Sequence, residues 1–436
     1  MRLPQNLPEW LTRIEALHPT TIEMGLERVA LVKQALRLEF SCPVISVGGT
    51  NGKGSTCAML EAILLQAGYR VGCYTSPHLL HFNERARVNG APVSDETLCA
   101  QFAAVEAARG AVSLTYFEFT TLAILRLFQQ SQLDVVILEV GLGGRLDAVN
   151  VIDADCSIVT SVDLDHMDYL GSTREQIGWE KAHIYRPGKP AICCDPAPPQ
   201  SLVQYAQRIG ADLRLFGRDF NYSGDKQQWN YGGRSQRRHS LAYPALRGVN
   251  QLLNATGALA ALEALQERLP VSQQAVRQGL AVVELPGRFQ TLAGRPTVIL
   301  DVAHNPHAAA VLAQNLGSMA FYPATHCVLG MLKDKDSAGV VRHLTEQIDH
   351  WYLATLSGAR GATAEQLQSI LAAQEIVPQA ASSSRPNGVT VQCFDTPAQA
   401  FRAAQGRAQE NDRILVCGSF HTVAEVIVSS SKNDRN

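Results

Sequence analysis

Short apolar runs, each closed by glycine or polar residues, alternate along this chain with stretches whose apolar positions recur at helical spacing. The runs VISVGG at 44–49, VGCYTS at 71–76, LDVVILEVG at 133–141, CSIVTSV at 156–162 and PAICC at 190–194 are rich in β-branched residues and read as strands. Strands interleaved with helical patterns predict a parallel α/β sheet, and four or five such strands suit one doubly wound sheet. After Ser55, residues Met59, Leu60, Ile63 and Leu64 fall on one helical face and Gly68 stands where a helix stops. Between Asp219 and Ser240 the pattern turns polar and aromatic, which predicts a hairpin or surface excursion, and NQLLNATGALAALEALQER at 250–268 predicts a long helix.

The breakers Pro286, Gly287, Gly294 and Pro296 interrupt this order, and a second alternation follows. TVILDVAHNP at 297–306, HCVLGML at 326–332, HWYLATL at 350–356, VQCF at 391–394 and RILVCGS at 413–419 read as strands, with helices such as 364–373 and 397–407 between them. Two domains are predicted, residues 1–290 and 291–436, with the boundary near 290–296 and a disordered tail over 429–436. Such sheets bind ligands at the carboxyl ends of their strands, so a cleft between the two domains is the expected binding place.

Charge narrows the partners. Lys+Arg 38 against Asp+Glu 40 leaves a net charge of −2, which supplies no electrostatic grip on nucleic acid or an anionic membrane. The basic run from Arg234 to His239 is short and isolated, so small-molecule partners are expected. No apolar run approaches membrane-spanning length and the start lacks a signal-like pattern, so the chain is expected in the cytosol. Ten cysteines without a CxxC pair suggest neither a zinc site nor a disulfide framework, and no heptad pattern announces an interface, so a monomer is expected.

The candidate chemistry begins at VGGTNGKGS, residues 47–55. Strand, glycine loop, lysine, hydroxyl and helix in that order form a phosphate cradle: backbone N–H groups approach the oxygens, Lys53 adds a point charge, and the helix presents its positive end. The spacing departs from the standard nucleotide loop because Gly54 separates Lys53 from Ser55. With this loop the fold class is α/β, an N-terminal P-loop ATPase-like domain with a mainly parallel sheet plus a C-terminal Rossmann-like α/β domain. Other strand ends deliver Ser76 in TSPHL, Glu139 in EVGLGGRLDA and His166 in DLDHMDYLG. A hydroxyl, a carboxylate and an imidazole are donors suited to Mg²⁺ beside a triphosphate. Ser76 could equally cap a turn, and His166 could satisfy a structural hydrogen bond.

These residues resemble folylpolyglutamate synthases of the Mur-ligase superfamily. The resemblance runs through GTNGKGS at 49–55, TSPHL at 75–79, EVGLGGRLDA at 139–148, the segment 163–182, LPGRFQ at 285–290, DVAHNPHA at 301–308, GMLKDKD at 330–336 and GSFHTVAE at 418–425. TIEMGLERV at 21–29 and SLTYFEF at 113–119 further resemble the bacterial bifunctional form, dihydrofolate synthase/folylpolyglutamate synthase. The resemblance implies an ATP-dependent ligase that joins L-glutamate to 7,8-dihydropteroate and then adds glutamates to reduced folates through γ-carboxyl linkages. It implies ATP as cosubstrate and Mg²⁺, two ions, as cofactor.

The resemblance also implies residue roles. Thr50, Asn51, Gly52, Lys53, Gly54 and Ser55 would hold the phosphates, Ser76 and Glu139 one Mg²⁺, and His166 a second. Lys181 matches the lysine that this superfamily carbamylates, which would turn a cation repelling magnesium into an N-carboxylate; an ordinary salt-bridging lysine is the other reading. Asn254, Arg288 and Asp301 would complete the ATP site, and His304 and Ser419 would handle the incoming glutamate. The pterin would be held by Thr115, Tyr116, Phe117 and Glu118 and by Leu146, Asp147 and Ala148, although Phe117 could equally be a core residue. Three positions depart from the family pattern: Val149 replaces the threonine of LDATN, His183 the glycine of EKAG, and Asn250 the usual histidine or proline. Val149 bears on the balance between the two acceptors, and His183 on the turn beside Lys181, where glycine could take positive φ. A Mur-type ligase for another carboxylate, a polyglutamylating enzyme alone, a nucleotide-dependent binding protein and a kinase-like transferase remain as alternatives.

Overall fold

The computed structural model describes residues 3–20, 22–225, 227–380 and 387–433, and the chain divides into two compact units, residues 1–245 with 251–284 and residues 246–250 with 285–436. Among the described residues, the first unit is built on β1 (Val44–Gly48), β2 (Val71–Tyr74), β3 (Ala86–Val88), β4 (Ala91–Pro92), β5 (Val135–Glu139), β6 (Cys156–Val159), β7 (Pro190–Cys193) and β8 (Asp212–Leu215). They lie in the order β4-β3-β2-β5-β1-β6-β7-β8. Neighbours from β2 to β8 are parallel, and β3 and β4 join antiparallel at one edge.

The inner strands β1, β2 and β5 are buried at every residue, which is why they read as unbroken apolar runs. The sheet is larger than the expected four or five strands because β3, β4 and β8 are short pieces at or next to its edges carrying Arg87, Pro92, Asp212 and Arg214, and polar residues hide a strand from pattern reading. The helix Lys53–Gln66 packs against the helices Gln251–Ala264 and Gln273–Val282. The helix Tyr116–Gln130 packs against Asp95–Arg109, and Trp10, Phe102 and Phe119 meet there edge to face or tilted.

The polar excursion is a three-stranded antiparallel sheet of β9 (Asn221–Gly224), β10 (Gln228–Gly232) and β11 (Arg237–Ala242). It buries Trp229 and Tyr231, whose hydroxyl donates to Glu263 at 2.5 Å. Arg234, first of the basic run, pairs with Asp212 and Asp219.

The second unit holds β12 (Gln290–Leu292), β13 (Thr297–Leu300), β14 (Thr325–Leu329), β15 (His350–Ala354), β16 (Thr390–Phe394) and β17 (Arg413–Cys417), in the order β12-β13-β17-β14-β15-β16. Among these described strands only β12 runs antiparallel. Residues 285–290 group with this unit rather than with the first. The physical tie is local: the Gly287 carbonyl accepts from Val302 N–H at 2.9 Å and the Asp301 carboxylate from Phe289 N–H at 2.9 Å. The last helix runs Phe420–Asn433, so residues 429–433 of the expected disordered tail are helical, continuing the helix whose Val423 and Val426 are buried. Residues 434–436 of that tail lie outside the described residues. No helix among the described residues is long and apolar enough to cross a membrane, and all ten cysteines are free.

Candidate active site

Strand order explains which side chains meet in the first unit. β2, β5, β1 and β6 are consecutive parallel neighbours, so the loops after their carboxyl ends, bearing Ser76, Glu139, the glycine loop and His166, leave the same edge of the sheet.

The glycine loop is held from β6. Thr50 N–H donates to the Ser161 carbonyl at 2.7 Å, and Asn51 N–H to Ser161 Oγ at 3.1 Å. Thr160 Oγ1 donates to the Asn51 carbonyl at 2.7 Å, and Thr50 Oγ1 accepts from Asp163 N–H at 3.0 Å. Thr160 and Ser161 were passed over as strand residues in the sequence; two hydroxyls at a strand end beside a glycine loop were the available signal. Gly52 has φ 89°, and a Cβ there would lie 2.5 Å from Asn254 Oδ1. Only glycine suits that backbone, and buried Asn254 thus packs against the phosphate loop itself. Gln251, one turn earlier, donates to Ser55 Oγ at 3.5 Å and accepts from Asn254 Nδ2 at 3.1 Å.

Lys53 Nζ donates to the carbonyls of Gly49 and Thr50, each at 3.1 Å. Lys181 Nζ, from the helix Arg174–Ala182, reaches the same Gly49 carbonyl at 2.9 Å. Burial and the neighbouring Lys53 charge push the Lys181 amine down to about 7. A lysine in this state is no surface salt bridge. His183, at the helix C-cap, has φ −71°, so the histidine does not require the positive φ that a glycine would permit. Its ring lies 3.9 Å from that of Tyr205 and 4.3 Å from that of Trp179.

Ser76 and Glu139 are in contact: Ser76 N–H donates to Glu139 Oε2 at 3.1 Å, and Glu139 is buried. His166 stands on the loop after β6 with φ 51°, a left-handed backbone that costs energy for a non-glycine residue and recurs at functional sites. Its N–H donates to Asp165 Oδ1 at 2.9 Å. Among the described residues no three His, Cys, Asp or Glu side chains form a metal cage. Hydroxyl and carboxylate oxygens in small number suit Mg²⁺, which keeps waters and takes substrate phosphates as ligands.

In the pterin segment the structure separates two kinds of residue. Thr115 and Glu118 form a capping box, with Thr115 N–H donating to Glu118 Oε2 at 2.7 Å and Glu118 N–H to Thr115 Oγ1 at 3.2 Å. Glu118 also pairs with Arg28 at 2.9 Å. Their side chains therefore build the helix start. Tyr116 meets Phe82 edge-on at 6.2 Å. Phe117 is only partly buried, lies 6.3 Å from Tyr74, and its ring tip would stand 2.5 Å from a Cβ on Gly141. Asp147, buried between Leu146 and Ala148, accepts from Leu142 N–H at 2.7 Å and Val149 N–H at 2.9 Å. Burial lifts its carboxyl to about 6 against bonds from Leu142, Val149 and Gly141. Phe117 and Asp147 thus flank one backbone position, Gly141. Met24, whose Cε would lie 3.8 Å from a Cβ on Gly143, adjoins the same loop.

In the second unit β13, β17 and β14 are neighbours, and their carboxyl ends carry Asp301, Ser419 and Gly330. Asp301 accepts from Phe289 N–H at 2.9 Å and Ala303 N–H at 2.8 Å, and burial raises its carboxyl above the usual range although Arg288 opposes this. The Arg288 guanidinium lies 5.2 Å from the centre of the Phe420 ring, and His304 lies 6.2 Å from that ring. Phe420 gathers two predicted residues and was itself missed, though it stands in the GSFH segment. Ser419 Oγ accepts from Thr422 N–H at 3.1 Å, a cap for the last helix. His304 Nδ1 lies 2.9 Å from the Val302 carbonyl, so Nδ1 carries the proton and Nε2 the lone pair in the neutral ring.

Comparison with known proteins identifies the family. Residues 47–262 match the Mur ligase middle domain, and residues 287–420 match the Mur ligase, glutamate ligase domain. The dihydrofolate synthase/folylpolyglutamate synthase of Escherichia coli K12 is 48% identical over 430 residues, covering 98% of this chain and 96% of its own length. The solved structure of E. coli FolC in complex with DHPP and ADP aligns with TM-score 0.92 at 46% identity, covering 100% of both chains. A structure of a bifunctional folylpolyglutamate synthase/dihydrofolate synthase with Mn, AMPPNP and L-glutamate bound aligns with TM-score 0.88 at 45% identity, covering 99% of this chain and 100% of that one. The chain belongs to the dihydrofolate synthase/folylpolyglutamate synthase family of Mur ligases.

Proposed function

We propose that this ligase makes two related amides, dihydrofolate from 7,8-dihydropteroate and L-glutamate, and γ-linked polyglutamates on reduced folates, each through an acyl phosphate formed at the expense of ATP. The observation that supports this most directly is the meeting of the glycine loop, Lys53, Lys181 and the Ser76–Glu139 contact at adjacent strand ends. A carboxylate resists an amine because oxide is a poor leaving group; phosphate is a good one. The acceptor carboxylate oxygen attacks the γ-phosphorus and ADP leaves; the glutamate amine then attacks the acyl carbon and phosphate leaves.

Each step gathers negative charge on oxygens, which favours cations fixed beforehand. Thr50, Asn51, Gly52, Gly54 and Ser55 bind the phosphates and Lys53 neutralises the transferred group. Bound magnesium supplies further charge neutralisation; Ser76 and Glu139 would hold one ion, and His166 with an N-carboxylated Lys181 a second. Asn254, Arg288 and Asp301 orient the nucleotide, while Phe117 and Asp147 orient the pterin ring. His304 Nε2 takes the proton that the amine loses, and Ser419 helps seat the glutamate. A cytosolic monomer acts on the small molecules ATP, glutamate, dihydropteroate and reduced folates.

Acceptor labelled with ¹⁸O in its carboxylate tests the route. Transfer of one ¹⁸O to the released phosphate is expected; label retained wholly in the product would overturn the acyl phosphate.

A further inference from the structure

Arg87 has no place in the assignments above, yet every nitrogen of its guanidinium is engaged. On β3 it lies opposite Cys73 of β2. Its Nε and Nη2 donate to Glu61 Oε2 at 2.9 and 2.7 Å. Its Nη1 donates to Thr75 Oγ1 and to the Glu84 carbonyl, both at 3.3 Å, and Nη2 reaches Cys73 Sγ at 3.3 Å. Glu61 stands on the helix that opens at Lys53, and Thr75 immediately precedes Ser76. The side chains of Arg87 and Glu61 are 16% and 8% exposed.

An ion pair withdrawn from water contributes little net stability, because desolvation offsets the attraction. Its planar fork does fix geometry, which a lysine's single ammonium cannot do in two directions at once. The fork here spans from the phosphate-loop helix to the turn that carries Ser76, whose N–H is bonded to Glu139.

We propose that Arg87 is a positioning residue for the metal–phosphate centre, holding the Thr75–Ser76 turn at a fixed place relative to the helix that begins with Lys53. This role rests on the assignment of Ser76 and Glu139 to a divalent ion. In this role Arg87 acts through Thr75 and is not itself a ligand of the ion.

The test is Mn²⁺ binding to the protein with a non-hydrolysable ATP analogue, read from the electron paramagnetic signal of free Mn²⁺, beside the KM for dihydropteroate. Arg87→Lys keeps a charge for Glu61. Thr75→Val leaves the Arg87–Glu61 pair intact and removes only the hydroxyl, so it remains informative should an Arg87 variant fold poorly. Both are expected to weaken Mn²⁺ binding about tenfold, with the dihydropteroate KM within about twofold of the parent, and Thr75→Ser is expected to restore Mn²⁺ binding. If both variants bind Mn²⁺ like the parent while Ser76→Ala and Glu139→Gln do not, the Arg87 role is wrong and the metal assignment stands. If Ser76→Ala and Glu139→Gln also bind Mn²⁺ like the parent, the metal assignment fails and the Arg87 role falls with it.

Discussion

Lys53 and Lys181 donate to one acceptor, the Gly49 carbonyl oxygen, at 3.1 and 2.9 Å. Two ammonium groups this close repel, and the buried one yields: Lys181 is pushed down to about 7 by burial and by Lys53. At neutral pH a large share of Lys181 is then free amine, the form that adds CO₂. A carbamate formed there would invert the charge and make Lys53 a partner instead of a competitor.

Carbamylation therefore gives a first prediction. Protein equilibrated with ¹³C-bicarbonate is expected to show a carbamate carbon signal that Lys181→Ala lacks. The same variant is expected to lose about a hundredfold or more in kcat, with partial recovery on adding formate or acetate, small carboxylates that fit the vacated space. Full activity in Lys181→Ala would refute the role.

Asp147 uses both oxygens on backbone donors, so Asp147→Asn must turn an amide N–H₂ toward one of them. A stability loss of about 1–3 kcal/mol is expected in urea titrations. The KM for dihydropteroate is expected to rise about tenfold while that for ATP is unchanged; an equal rise in both would remove Asp147 from the pterin site.

His183 is wedged between Trp179 and Tyr205 with an ordinary φ. His183→Gly, which restores the family residue, is expected to cost about 1–2 kcal/mol through lost ring contacts and added chain freedom. The kcat for either acceptor should stay within about twofold. A large change in kcat without loss of stability would contradict this structural reading.

The second unit carries an acid-sensitive pair remote in sequence from its candidate residues. His326 is buried between Tyr352 Oη, 3.0 Å from its Nδ1, and Asp412, 3.4 Å from its Nε2, and its ring lies 4.7 Å from that of His350. Burial, His326 and Arg407 push His350 down from 6.5 to about 4, with Asp349 and Asp412 opposing. The fold thus holds His350 neutral where the unfolded chain would bind a proton, so its contribution is lost as pH falls from about 6.5 toward 4. Asp147, raised to about 6, acts in the opposite sense over part of this window, so the comparison is between the parent and His350→Asn. The variant's urea midpoint is expected to fall less steeply on acidification; identical slopes would exclude His350.

The sequence made legible what burial writes as apolar runs. β1, β5 and β17 are buried throughout and were found, whereas β3, beside the edge strand β4, and β8, at the opposite edge, carry arginines and aspartate and were not. Glu139 announced itself because a carboxylate ending an apolar strand must find cations or donors. Thr160, Ser161, Phe420 and Arg87 did not, since a hydroxyl, a ring or an arginine at a strand end has many structural uses and only the strand order shows what it faces. Thr115 and Glu118 show the reverse case: a motif residue whose side chain builds the helix start on which Phe117 is presented.

The most direct measurement is mass spectrometry of products after incubating the protein with Mg-ATP, L-glutamate and either 7,8-dihydropteroate or tetrahydrofolate, with glutamate omitted as control. A glutamyl adduct on both acceptors is predicted, and only when glutamate is present. An adduct on tetrahydrofolate alone would contradict the dihydropteroate activity and point to the Val149 region, and no adduct on either would contradict the folate ligase as a whole.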